Sequence, residues 1–164
     1  MTSTHEQDQG AAKVAELLKD SHIAMLTTRA PDGTLMSRPM SMQEVEFDGD
    51  LWFFADRESH AVTHVLADPQ VNVAVAGSSS WVSLTGGATV VHDDAKKREL
   101  WNSVVEAWFP DGPDADHIVL LHVEGRSAEY WDSPGGRVAS LISYVKAKAT
   151  GKPYDGGENE KVDL

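Results

Sequence analysis

Apolar residues recur along this chain in two rhythms. A helical rhythm appears four times. In "GAAKVAELLKD", Val14, Leu17 and Leu18 share one face. In "SHAVTHVLAD", Ser59 stands where an N-cap belongs and Val62, Val65 and Leu66 turn inward. In "DDAKKRELWNSVVEAWF", Trp101, Val104, Val105 and Trp108 fall at i, i+3, i+4 and i+7, which predicts one long helix with that stripe against the core. A last helix is predicted over "GRVASLISYVKAKA". Between these runs the period drops to two. Strands are predicted over "HIAMLTTR", "TLMSRPMS", "LWFFAD", "VNVAVAG" and "SWVSLTGGATVVH", and a last long strand or strand pair over "HIVLLHVEGRSAEYWD".

The punctuation supports short antiparallel connections. "APDGT" has tight-turn chemistry, and Asp48-Gly49 between apolar runs is a hairpin signal. The Gly86-Gly87 pair inside a long strand suggests a bulge or a sharp coil. These strands, with helices too few and too irregularly placed for a doubly wound sheet, predict a mainly β fold with flanking helices, an antiparallel barrel. Residues 1–10 read as a flexible N-terminus, 11–148 as the folded domain, and 149–164 as a flexible, glycine- and charge-rich tail.

Composition narrows the function. The chain has 164 residues, 41% of them hydrophobic, and a net charge of −12. Such a charge disfavours nucleic acid as a partner. No apolar run is long enough to span a bilayer, and the N-terminus has no signal-peptide pattern. Cysteine is absent, which removes disulfides and thiol nucleophiles and fits a cytoplasmic protein. Neither GxGxxG, GxxxxGK[ST] nor GxSxG occurs.

Candidate chemistry gathers around Arg38. It precedes Pro39 in a strand, and proline belongs on edge strands or bulges. Arg38 is either a solvated charge or a fork aimed at an anion. Ser59 opens a helix after "LWFFAD", so its hydroxyl and the amides of His60 and Ala61 could complete an anion seat if the two strands are neighbours in a meander. His60 and His64 have the i, i+4 spacing of zinc ligands, but no third ligand is evident and no metal site is expected. Trp81 and Trp131, flanked by polar residues, are either ordinary packing or surfaces for a flat ligand or a partner subunit.

The ordered set "SRPM", "LWFFADRESHAVTHVLADPQVNVAVA", "WVSLTGGATVV" and "AWFPDGPDADHIVLLHVEGRSAEYWDSPGG" resembles the pyridoxamine 5′-phosphate oxidase-like superfamily. The similarity is greatest to its general-stress-protein branch of FMN-binding split barrels. The resemblance implies a six-stranded antiparallel split β-barrel and a cytoplasmic homodimer with FMN in the subunit interface. It implies that Arg38 and Ser59 hold the flavin phosphate, with His60 beside them. It also places the backbone of Pro39 and Met40 along the ring, Phe54 and Ala55 beside ring and ribityl chain, and Trp81 and Trp131 against the flavin. Two departures qualify this. The lysine usual two residues after the serine is Ala61 here. Of the "RLHDR"-type substrate clamp only Arg137 remains, with Ala139 and Leu141 at its other positions, so vitamin B6 oxidation is not expected. The resemblance thus implies a flavin-dependent oxidoreductase acting with a small-molecule redox partner. A deazaflavin enzyme, or a non-catalytic flavin- or haem-binding carrier or sensor, are the alternatives.

Overall fold

The strand pattern resolves into one antiparallel sheet. In the computed structural model, which describes residues 2–43, 45–133, 148–151 and 157–164, the strands are β1 (Ile23–Arg29), β2 (Leu35–Ser41), β3 (Asp50–Asp56), β4 (Gln70–Ala76), β5 (Ser80–Val91), β6 (Ile118–Asp132) and β7 (Glu158–Asp163). The helices are α1 (Thr2–Leu18), α2 (His60–Ala67), α3 (Asp94–Leu100) and α4 (Ser103–Trp108). The main path runs β2-β1-β4-β5-β6-β3, and β7 adds to β6. Among the described residues this is a seven-stranded sheet, one strand more than expected, and its hydrogen bonding does not close. The edge strands β2 and β3 approach each other without pairing, so they are not meander neighbours. Asp48-Gly49 accordingly makes no hairpin. Gly49 turns at φ +107°, its carbonyl accepts from Gly125 N–H, and the chain enters β3, whose partner is β6.

Strand register sorts the side chains into two layers. Leu26, Phe53, Val73, Leu84, Leu121 and Val123 fill the inner face with Val14 and Leu18 of α1 and Val62 and Val65 of α2. The outer face is covered only in part. There α3 and α4 lay Leu100 and Val105 over Phe54, Ile118 and Leu120. Lys97 fastens α3 from within, its buried Nζ donating to the carbonyls of Ala115 and Ile118 and pairing with Asp94. Among the described residues no helix lies over the rest of the outer face, which exposes Ile23, Met25, Trp81 and Trp131.

Three expectations change. The long helix breaks at Trp101-Asn102, because the Asn102 side chain accepts from the N–H groups of Val104 and Val105 and starts α4. The helical phase resets there, leaving Val104 and Trp108 (72% exposed) in solvent. Leu66 also faces solvent rather than the core. The termini, read as flexible, include structured segments that dock on each other. Val162 of β7 is buried against Gly10 of α1, where a Cβ would sit 2.7 Å from a Val162 methyl. Across the ladder, Tyr130 donates to Glu160 at 2.9 Å. The helix predicted over 136–149 falls almost wholly outside the described residues, as do Arg137, Ala139 and Leu141.

The expected irregularity at the glycine pair is present. The β5–β6 register shifts between Thr85 and Gly86, leaving Arg126 without a partner opposite. The shift lets Leu120 before it and Trp131 after it face the same side of the sheet. A Cβ on Gly86 would strike the Glu124 carbonyl oxygen, whereas one on Gly87 would meet only the flexible tip of Arg126. Gly86→Ala should therefore destabilise by about 2 kcal/mol or more, the usual cost of forcing atoms into packed backbone. Gly87→Ala should cost well under half of that. Urea denaturation of both variants checks this, and equal losses would contradict the assigned bulge contact.

Candidate functional site

Arg38 lies in the middle of an edge strand. β2 pairs only with β1, so Pro39 costs no ladder bond on its open side. Pro39 faces outward opposite Met25, while Arg38, opposite Leu26, faces inward with Met36 and Met40. There Nη1 donates to Thr28 Oγ1 at 2.7 Å and to the Leu26 carbonyl at 3.4 Å. Nη2 is buried and has no hydrogen-bond partner among the described residues. A buried donor left unpaired costs about 1–3 kcal/mol. An unpaired arm on a fixed cation marks a place for an acceptor, and an anion suits it best.

Thr28 connects this arginine to α2. Its Oγ1 is 2.9 Å from Nδ1 of His64, which is buried and stacks on His60 with ring centroids 6.1 Å apart. Burial first, then the positive fields of Arg38 and His60, push the His64 pKa below the ordinary imidazole value. At the start of the helix, Asp56 accepts from Glu58 N–H and Ser59 N–H, shaping the turn out of β3. Ser59 then caps α2, its Oγ accepting from Val62 N–H at a long 3.4 Å. So loose a cap leaves the hydroxyl available to a stronger partner. His60 is exposed at the first helical position, and Ala61 is buried and brings no charge. Among the described residues no hydrogen bond joins Arg38 to Ser59 directly. The recorded link runs through Thr28 and His64 to the helix that Ser59 opens.

The remaining predicted residues separate. Met40 packs at the margin of the inner core and Ala55 within it. The Phe54 ring is buried beneath α3 and α4, edge-on to Trp101 at 5.4 Å, so it cannot form an open wall for a ligand. Trp81 and Trp131 stand opposite each other on β5 and β6, 48% and 40% exposed, on the outer face. Within one chain, the arginine and the tryptophan pair thus lie on opposite faces of the sheet. A cavity of about 760 Å³ opens between the end of α1, the β2–β3 connection and the start of β3, and none of the predicted residues lines it.

Thr28 and His64 were not anticipated as a unit. Thr28 holds an inward position after Ala24 and Leu26, and a polar residue in an apolar phase is a signal that a partner waits inside. In the sequence His64 stands out only by its i, i+4 spacing from His60. Among the described residues no group of three His, Asp or Glu side chains is arranged to hold a metal ion.

Comparison with known proteins agrees with the topology. Over 158 residues the chain is 28% identical to protein bli-3 of Neurospora crassa, covering 89% of this chain and 76% of that one. A candidate general stress protein 26 from Jannaschia superposes with a TM-score of 0.77 at 24% identity, over 96% of this chain and 99% of that chain. The general stress FMN/FAD binding protein of Xanthomonas citri superposes with a TM-score of 0.65 at 26% identity, over 76% and 89%. The family model described as "Pyridoxamine 5′-phosphate oxidase like" matches residues 9–155, and the chain belongs to that family.

Proposed function

We propose that this protein binds FMN, with the phosphate between the free arm of Arg38 and the start of α2, and that it works as a flavin-dependent oxidoreductase. The observation that carries this reading is the buried, unpartnered Nη2 of Arg38. A phosphate oxygen would satisfy it, and the loosely engaged Ser59 hydroxyl and the helix N-terminus would add donors and partial positive charge. The Xanthomonas citri relative, named for FMN/FAD binding, supports the choice of flavin. Ala61 leaves the seat one cation short of the family pattern. A charge-assisted hydrogen bond contributes roughly 1.5–3 kcal/mol, so affinity about tenfold to a hundredfold lower than with a lysine is expected.

The site is completed by a second copy. A flavin held at Arg38 cannot also reach Trp81 and Trp131 of the same chain, because those rings occupy the opposite face. The outer face that no described helix covers, with Ile23, Met25, Trp81 and Trp131 exposed, suits burial against its own twin. In that homodimer the partner's outer face would shield the ring, and the backbone of Pro39, Met40 and Ala55 would line the ligand. FMN supplies reversible hydride and electron transfer. The chain's residues bind the phosphate, orient the ring and exclude water. The redox partner is a small molecule, and the cysteine-free composition suits the cytoplasm. Ala61 favours one second reading, a deazaflavin in the same cleft.

The spectrum and mass of the small molecule that co-purifies test the cofactor. Yellow flavin absorption and the FMN mass are expected. A Soret band, or a deazaflavin mass, would overturn FMN. Arg38→Ala should weaken FMN binding at least tenfold, in line with about 1.5–3 kcal/mol for a hydrogen bond to a charged group, as read by flavin fluorescence titration. Unchanged affinity would remove Arg38 as the anchor. Sedimentation should give a dimer that Trp81→Ala with Trp131→Ala loosens. A monomer with full flavin occupancy would contradict an interface site.

A further inference from the structure

Arg38, Thr28 and His64 form one chain of hydrogen bonds, in which the Arg38 end has a fixed direction and the His64 end follows the imidazole's protonation. A guanidinium only donates, so Thr28 Oγ1 accepts from Arg38 Nη1 across 2.7 Å. The threonine's single hydroxyl hydrogen is then free for His64 Nδ1, 2.9 Å away. Nδ1 can accept it only while the imidazole is neutral with its proton on Nε2. Once His64 is protonated, Nδ1–H donates instead to the second lone pair of Thr28 Oγ1, so the link is kept, but a second positive charge then stands near Arg38. The charged or titratable groups acting on His64 are Arg38 from β2, His60 from its own helix and Asp32 from the β1–β2 turn. Among the described residues β3 and β5 contribute none. With the seat empty, burial and the positive groups outweigh Asp32 and hold the pKa low. An anion at Nη2 would reverse the sign of the local field.

We propose that His64 is a proton-linked positioning residue of the Arg38 anion seat. In either protonation state it holds the guanidinium in place through Thr28. When a phosphomonoester binds, His64 takes up a proton and supplies charge that Ala61 does not. The proposal rests on the flavin-phosphate reading above and adds to it a dependence on pH. In the free protein the depressed pKa favours neutral His64, a contribution present above the ordinary value near 6.5 and lost as pH falls below it. A bound phosphate opposes that loss. Affinity for a phosphate-bearing flavin therefore rises as pH falls through the bound-state pKa, whereas affinity for riboflavin, which lacks the phosphate, stays flat.

Calorimetric titration of the full chain at pH 7, in two buffers of different ionisation enthalpy, counts the protons exchanged. FMN should take up on the order of half a proton, as expected when a pKa moves across the working pH. Riboflavin should take up almost none. The FMN phosphate cannot imitate this, because binding as the dianion, with a second pKa near 6, would release protons at pH 7. His64→Gln should still bind FMN but lose the uptake, and at pH 6 bind it about tenfold more weakly than the parent, the equivalent of one pKa unit. Equal proton uptake by parent and variant would overturn the proposal while leaving FMN binding intact. Failure of FMN to bind at any pH would overturn the flavin reading and the coupling with it. If His64→Gln does not fold, NMR titration of the parent's His64 ring gives the same decision. Its pKa should rise when FMN is added, and an unmoved pKa would overturn the coupling.

Discussion

Arg38 is held at one end by Thr28 and Leu26 and is left at the other with a buried donor that no described residue accepts. Folding has already met the cost of desolvating that cation. Under the proposed function, a bound phosphate supplies the bond that offsets it. Edge placement explains how this is arranged: β2 has a neighbour on one side only, so the inward face at Arg38 borders the open seam between β2 and β3. An interior strand would have covered it.

The rest of the sheet keeps that seam in place. α2 packs against β1, β3 and β5, so its N-terminus is fixed relative to both lips of the opening. The bulge at Gly86 carries the β5–β6 ladder through a change of phase, so one continuous outer face holds Leu120 at one end and Trp131 at the other. Helices α3 and α4 cover the first end and leave the second bare. A single chain therefore has a cation at a seam and an apolar, tryptophan-bearing face turned away from it. Two copies related by a twofold axis can bring one chain's seam to the other's face.

Much of this was legible because it is local. The Ser59 cap, the Gly86-Gly87 irregularity and the alternation in β1 and β4 are all properties of a few adjacent residues. What was hidden is non-local or depends on a single side-chain choice. β3 pairs with β6 rather than β2, and no pattern near Asp48-Gly49 records that. The polar tail and the weakly apolar start of the chain look loose separately, and each gains structure by docking on the other at Gly10 and Val162. Asn102 caps a new helix inside a run whose apolar period continues unbroken, and so Trp108 reads as core though it is exposed. Phe54 fits a ligand wall by position but not by direction, since α3 and α4 claim the face it points to.

The central claim is that the free arm of Arg38 exists for a phosphate. A crystal structure of the protein grown with FMN tests it most directly. The account predicts a phosphate oxygen about 2.7–2.9 Å from Arg38 Nη2, the range of a charge-assisted bond, with the Ser59 hydroxyl turned toward the same group. FMN bound with its phosphate away from Arg38, and Nη2 still without an acceptor, would contradict it.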